Sequence, residues 1–271
     1  MQPVGVPTAT LLAPCVEYRA SAAKRRTREL AEETPVALVY DGSTEAVMMA
    51  TPADLEDFAL GFSLTEGLIE SPSEIGELTM LHSEAGIELR MWLAGPSANA
   101  YRTRRRRLTG PTGCGLCGIE SLAEAIRPSR VVGKGRHWQA ADVAAAITML
   151  AEGQTLHRQT HATHAAAFYR HGSGTAITRE DVGRHNALDK LGGAIARSRA
   201  DASQGALVIT SRVSVEMVQK AAAIGAPLLI AVSAPTALAV RTAEAANITL
   251  IGVARHSDWE LYTHPHRVLL E

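Results

Sequence analysis

Two cysteines, Cys114 and Cys117, stand three apart in Thr-Gly-Cys-Gly-Leu-Cys-Gly, and they are the residues best suited to chemistry in this chain. A Cys-X-X-Cys pair supports four chemistries. A structural zinc site needs four closed ligands, but Cys15 is the only other cysteine and no second paired motif exists. A thioredoxin-like disulfide centre sits at a rigid strand-to-helix junction. Here glycine precedes, separates and follows the cysteines, which suits a mobile arm better. A zinc nucleobase deaminase carries His-X-Glu ahead of Pro-Cys-X-X-Cys. His82-Ser83-Glu84 meets the first half, but Gly113 replaces the proline and the triplet falls at a predicted hairpin turn. A sulfur carrier uses a thiolate that accepts sulfur as a persulfide and a loop that moves it. Arg105–Arg107 and a following helix start, with Ser121 and Glu124 at capping-box spacing, would lower the thiol pKa.

A second group of candidates follows the strands of the second half. Arg179, Asp181, Arg184 and His185 come after the strand predicted at Thr175–Thr178, and Ser211 and Arg212 follow Ala206–Thr210. Ser233 and Thr236 follow Leu228–Val232, and Arg255, His256, Ser257 and Asp258 follow Ile248–Val253. In an open α/β sheet, ligands bind outside the carboxyl ends of the strands. Helix N-termini there favour anions, and arginine adds charge-assisted bonds to phosphate. The implied ligand is small and anionic, with a nucleotide part. Each serine or threonine alone also reads as a helix cap, and Asp181, Arg184, His185 and Asp189 read equally as a structural ion network. His157, His161 and His164 would align on a helix, but the segment reads mostly as loop, so no metal is assigned there.

The elements that must position these groups read as follows. Residues 1–35 form a loose N-terminal arm with a basic patch at Lys24–Arg28. Val36–Tyr40 and Glu45–Ala50 make a hairpin around Asp41-Gly42. Thr51 caps a helix that starts at Pro52 and buries Leu55, Phe58, Ala59 and Phe62 on one face. Leu78–His82 and Ile87–Leu93 make a second hairpin. Arg102 and Arg104–Arg107 then precede the glycine-rich loop; they read as a solvated face or as a docking patch for an acidic partner. Beyond Ala140–Ala151, strands and helices alternate: Ala165–Tyr169, Ala187–Ser198, Ala206–Thr210, Val215–Ile224, Leu228–Ser233, Ala237–Ala246 and Ile248–Ala254. That alternation predicts βαβ units around a mostly parallel sheet. The fold class is α/β, divided as a small α/β or α+β domain (1–108), a Cys-X-X-Cys loop (109–135) and a larger α/β domain (136–271).

Composition excludes several classes. The chain has 271 residues, enough for a real core without disulfides. Its formal net charge is −1 and its aromatic content 4%, which argue against nucleic-acid coating and base-stacking rows. Three cysteines exclude a disulfide scaffold. Pro3, Pro7 and Pro14 interrupt any signal-like apolar segment, and no apolar run reaches a membrane span, so a soluble cytoplasmic protein is expected.

The motifs TGCGLCG (112–118), THAAAFY (163–169), REDVGRHNALDK (179–190), SRVSVEMVQKAA (211–222), SAPTALAV (233–240) and YTHPHR (262–267) together resemble the formate dehydrogenase accessory sulfurtransferase (FdhD) family over roughly residues 35–271. The resemblance implies a cytidine-deaminase-like α/β core and a cytoplasmic homodimer. It implies transfer of sulfur from a cysteine desulfurase, as a persulfide, to the molybdenum or tungsten of the bis-molybdopterin guanine dinucleotide cofactor of formate dehydrogenase. By position, Cys114 matches the persulfide cysteine, Cys117 its partner, and Val253, Ala254, Arg255, His256, Ser257 and Asp258 the cofactor-binding segment. The chain departs from the family at His161-Ala162, where Gly-Gly is usual, and at Val253, where an aromatic is common.

Overall fold

The structure, a computed structural model, describes residues 7–99, 101, 129–172 and 176–270. Cys114 and Cys117, Arg102 and Arg104–Arg107, Ser121 and Glu124, and the 108/109 boundary lie outside the described residues. The first described strands are β1 (Thr10–Arg19) and β2 (Ala22–Ala31), which among the described residues pair only with each other. The sequence predicts a loose arm here and the structure shows a long hairpin. Its turn is made by Ala20 and Ser21, both at positive φ. The Asn-Gly signal that marks such turns is absent, so the hairpin is invisible to turn chemistry.

A four-stranded sheet follows, in the order β4-β3-β6-β5, from β3 (Thr34–Tyr40), β4 (Ser43–Ala50), β5 (Ile75–Ser83) and β6 (Gly86–Leu93). Both expected hairpins are present, and β3 and β6 run parallel between them. Val36, Leu38, Tyr40, Leu89 and Met91 alternate onto one face, where α1 (Leu55–Thr65) covers them with Leu55, Phe58, Ala59 and Phe62. The helix starts later than the predicted Thr51 cap. The Thr51 hydroxyl instead accepts the Val182 N–H at 3.1 Å, far along the chain, and Asp54 occupies the cap position with φ 53°.

The larger unit is a six-stranded sheet, β13-β12-β11-β10-β8-β9. Its strands are β8 (His164–Arg170), β9 (Ala176–Asp181), β10 (Gly205–Ile209), β11 (Leu228–Ala231), β12 (Thr249–Arg255) and β13 (Asp258–Leu261). Here a mostly parallel sheet is corrected to a mixed one. Only β10–β11 and β11–β12 pair in parallel, through crossover helices; β8–β9 and β12–β13 turn back too soon for a crossover and are antiparallel. One face is covered by α4 (Arg184–Ser198), α5 (Val215–Ile224) and α6 (Ala237–Ala245). The other is covered by α2 (Ala140–Gly153) and Trp138, which lies on β7 (Trp138–Gln139) and pairs with β14 (Val268–Leu269). The central strands are apolar throughout because both faces are covered.

Helix α1 is buried on two sides. Its second face meets α4 backbone to backbone: a Cβ built on Gly61 would lie 1.7 Å from the Asp189 carbonyl oxygen, and one on Gly193 1.9 Å from that of Asp57. Glycine at both positions lets the small unit lock onto the large one.

Candidate functional site

The carboxyl ends of β9, β10, β11 and β12 open on one edge of the large sheet, joined by the amino end of β8, which runs against its neighbours. Three helices begin there: α4 after Asp181-Val-Gly, α5 after the segment 210–214, and α6 after the segment 232–236. The segments are laced together. Val213 N–H donates to the Ala234 carbonyl, Thr236 N–H to the Val213 carbonyl and Val253 N–H to the Ser233 carbonyl. The edge is a preformed rim carrying three helix N-termini, which favours an anion.

The polar residues that the sequence assigns to a ligand divide into two sets. Asp181 and Arg179 are committed to protein partners. Asp181 is fully buried; Oδ1 accepts from Gly183 N–H and Asn186 Nδ2, and Oδ2 accepts from Thr51 N–H and lies 2.6 Å from Lys190 Nζ. Asp189 is buried as well, 2.8 Å from Lys220 Nζ and 2.6 Å from the Thr65 hydroxyl. Arg179 forks onto Asp57 of α1, at 2.6 and 2.7 Å. β9 runs three residues past its predicted end, so Arg179 and Asp181 are strand residues that clasp the small unit. In this motif the balance between ion network and ligand site falls on the side of structure for Asp181 and Asp189.

The second set faces the rim. Arg184 is the first residue of α4, half-buried, and makes no ion pair among the described residues. His185, next along, lies 2.8 Å from Glu216 of α5 through Nε2, bridging two helix starts. His164 opens β8 and reaches the Thr210 hydroxyl through Nδ1 at 3.4 Å. Burial, and then the Arg184 charge, hold both imidazoles below their ordinary pKa; for His185, Glu216 pulls the other way. Ser211 is buried and its hydroxyl donates to the Arg212 carbonyl, while the Arg212 side chain is exposed. Thr236 is a true cap, accepting from Ala239 N–H at 3.2 Å; Ser214, at the cap position of α5, makes no such bond.

Val253–Asp258 is the end of β12 and its turn into β13. Ala254 is buried, Val253 has φ 52°, and Arg255, His256, Ser257 and Asp258 are exposed, with a register shift between Gly252 and Arg255. The segment stands beside the rim as a projecting turn, where a loop following the strand is expected. The YTHPHR motif serves the scaffold. Thr263 bridges Leu250 N–H and the Ile248 carbonyl, and buried Arg267 donates to the carbonyls of Gly133 and Lys134 and to Thr249.

Sequence reasoning missed the helix that carries His157 and the distant carboxylate that caps it. His157 lies on α3 (Thr155–Thr160), a short helix where loop is expected, whose first N–H groups are held by Glu180. His157 Nδ1 meets the Thr163 carbonyl at 2.9 Å, and no group of three metal-ligating side chains occurs among the described residues. The capping carboxylate sits 23 to 24 residues away, beyond any local signal. His82 and Glu84 lie at the β5–β6 turn of the small sheet, and neither opens a helix, as the deaminase pattern requires.

No helix among the described residues is long and apolar enough to cross a membrane. Residues 31–269 match the FdhD/NarQ family model. The chain is 50% identical to a sulfur carrier protein FdhD of Agrobacterium fabrum over 246 residues, covering 90% of each chain. It is 52% identical to one of Cupriavidus necator over 240 residues, covering 89% of this chain and 83% of the relative. The crystal structure of a provisionally assigned formate dehydrogenase accessory protein from Desulfotalea psychrophila superposes with TM-score 0.75 at 24% identity, over 96% of this chain and all of that one, and so shares the α/β fold. The family model spans the four-stranded sheet and the six-stranded sheet with its rim, and on that extent of agreement the chain belongs to the FdhD/NarQ family.

Proposed function

We propose that this chain is a sulfur carrier of the cytoplasm, a homodimer that moves sulfur from a cysteine desulfurase to the bis-molybdopterin guanine dinucleotide cofactor, molybdenum or tungsten form, of formate dehydrogenase. The Cys114 thiolate attacks the terminal sulfur of the desulfurase persulfide; the desulfurase thiolate leaves and Cys114 becomes the persulfide. Cys117 then relays or resolves it. In the resolving route, the Cys117 thiolate attacks the Cys114 sulfur, hydrosulfide leaves, and a Cys114–Cys117 disulfide remains for an external thiol to reduce. The hydrosulfide is the two-electron-reduced form of sulfur that a metal ligand requires.

One observation carries the reading: about half of all residues agree with named sulfur carriers over about nine-tenths of the chain, and the Cys-X-X-Cys lies within the matched span. The rim supports its second half. Arg184 and Arg212, without acidic partners among the described residues, and three helix starts suit the phosphates of the guanine nucleotide halves. Val253–Asp258 stands beside them as the segment that would close over the nucleotide.

Intact mass spectrometry after incubation with a cysteine desulfurase and cysteine tests the sulfur step. The wild type should gain one sulfur atom, Cys114→Ala none, and Cys117→Ala should keep the gain. A Cys117→Ala protein that gains nothing, a wild type that neither gains sulfur nor forms the Cys114–Cys117 disulfide, or stoichiometric zinc held by the two cysteines, sinks the reading. A Cys114→Ala protein that still sulfurates the cofactor would leave only a cofactor-binding chaperone.

A further inference from the structure

The rim is rich in donors. Arg184, Arg212 and the helix starts all suit an anion. One carboxylate stands among them that phosphates do not need: Glu216, in the first turn of α5. Its side chain is 50% exposed, and its one ionic partner among the described residues is His185 of α4, whose Nε2 lies 2.8 Å from Oε2. Oε1 has no hydrogen bond or ion pair among the described residues. Lys220, one turn further along α5, does not neutralise it, because its ammonium is taken by Asp189 at 2.8 Å and Glu66 at 2.7 Å.

A carboxylate beside a phosphate site repels the ligand it adjoins. Burial and then the Arg184 charge hold His185 below its ordinary pKa, so at neutral pH the imidazole is an uncharged neighbour and does not cancel that repulsion. A first-turn carboxylate also interacts favourably with the helix dipole. That interaction needs no histidine from a second helix to hold one of its oxygens.

We propose that Glu216 selects the base of the ligand: its carboxylate accepts the N1–H and the 2-amino group of guanine, while Arg184 and the helix starts take the phosphates. This rests on the guanine nucleotide reading above and adds to it the residue that tells guanine from other bases. Guanine alone among the common nucleobases offers two adjacent N–H donors on one edge, one for each carboxylate oxygen. Adenine offers one donor and one acceptor there, and its ring nitrogen would meet a carboxylate lone pair to lone pair. Oε2 can serve guanine and His185 together, since each carboxylate oxygen accepts more than one bond. His185 is then a positioning residue, fixing the carboxylate from α4.

A carboxylate also takes ribose hydroxyls or a metal ion. The ribose is common to every nucleotide, and no group of three metal-ligating side chains occurs among the described residues. The other exposed carboxylate beside the rim, Asp258, lies on the projecting turn opposite Arg255 and accepts the Ser257 hydroxyl at 3.3 Å. No second element holds it as α4 holds Glu216.

Calorimetric titration of the full chain with four nucleotides tests the assignment. Inosine diphosphate lacks the 2-amino group of guanosine diphosphate, xanthosine diphosphate carries an oxygen in its place, and adenosine diphosphate changes both positions. The wild type should prefer guanosine diphosphate to each of the others by about tenfold or more, the weight of a hydrogen bond to a charged group. Glu216→Gln keeps an acceptor for N1–H and gains a donor for the xanthine oxygen. It should weaken guanosine diphosphate about tenfold and strengthen xanthosine diphosphate about tenfold. A misfolded variant, or one that has lost only a favourable helix charge, cannot gain an affinity in this way. Asp258→Asn should leave the order of preference as it is.

A wild type that binds all four nucleotides equally would overturn the assignment and leave an anion site that ignores the base. So would a Glu216→Gln protein that weakens all four by one factor, as a contact with the ribose would, or an Asp258→Asn protein that gains xanthosine diphosphate instead. A wild type that binds none of the four would remove the guanine nucleotide reading itself, and this assignment with it.

Discussion

Lys190 Nζ lies 2.6 Å from Asp181 Oδ2, and neither side chain has any exposed surface. The pair sits between the two sheets. Lys190 also donates to the Thr51 carbonyl at 2.8 Å, and Asp181 accepts from the Thr51 N–H at 3.0 Å, so one residue after β4 is held from both sides. Asn186 adds a bond to the Met49 carbonyl. The motif that opens α4 is thus a clasp on its buried side and a rim on its outer side.

Removing one member of that pair leaves an unpaired buried charge. Asp181→Ala should cost about 3–5 kcal/mol in urea unfolding. Asp181→Asn with Lys190→Met, which removes both charges, should recover most of the loss. A single variant as stable as the wild type would show that the clasp contributes nothing.

The glycine contact between α1 and α4 is similarly direct. Gly61→Ala or Gly193→Ala pushes a methyl group into backbone atoms, which cannot swing aside, and should cost about 3 kcal/mol. Gly133→Ala serves as the control, since nothing lies within 4 Å of its added Cβ. If all three variants unfold together, the close approach is not needed.

Arg179 and Arg184 should separate in their effects. Arg179 is paired with Asp57, so Arg179→Gln should lower stability and leave guanine nucleotide affinity within about threefold of the wild type, a margin under the 1.4 kcal/mol of a tenfold change. Arg184→Gln should weaken binding of guanosine diphosphate about tenfold or more with little loss of stability, since it removes a charge-assisted contact. Calorimetric titration and thermal unfolding of both variants check this; equal loss of affinity in both would remove the distinction.

Acid should destabilise the fold through the rim histidines. The pKa of His164 and of His185 is held below the ordinary 6.5, chiefly by burial and then by Arg184. The unfolded chain therefore takes up protons first as the pH falls. Stability is full above about pH 6.5 and declines as the pH drops from there towards the folded-state values. His164→Gln should flatten this decline in unfolding midpoints measured between pH 7 and pH 5. Because an anion offsets Arg184, inorganic phosphate should raise both values and be bound with proton uptake. Binding enthalpies that do not vary with buffer ionisation heat would contradict that coupling.

Much of this was legible in the chain itself. Periodicity located both hairpins of the small sheet, the main helices of the large unit and the apolar central strands, because those patterns are local. The bounds of α5 and the αL cap at Gly225 follow from the residues alone. The edge at which three helices begin could be located from the strand-ends. What local pattern could not supply was partnership. Thr51 looks like a helix cap until Val182 arrives from 131 residues away. Gly61 looks neutral until α4 lies against it, and Asp181 looks like a ligand group until Lys190 is buried beside it. The Ala20-Ser21 turn carries no signal, so the opening hairpin was unseen. In each case the deciding term is a long-range contact, and the free energy of burying a charge or a bare backbone depends on what meets it, which one-dimensional spacing does not contain.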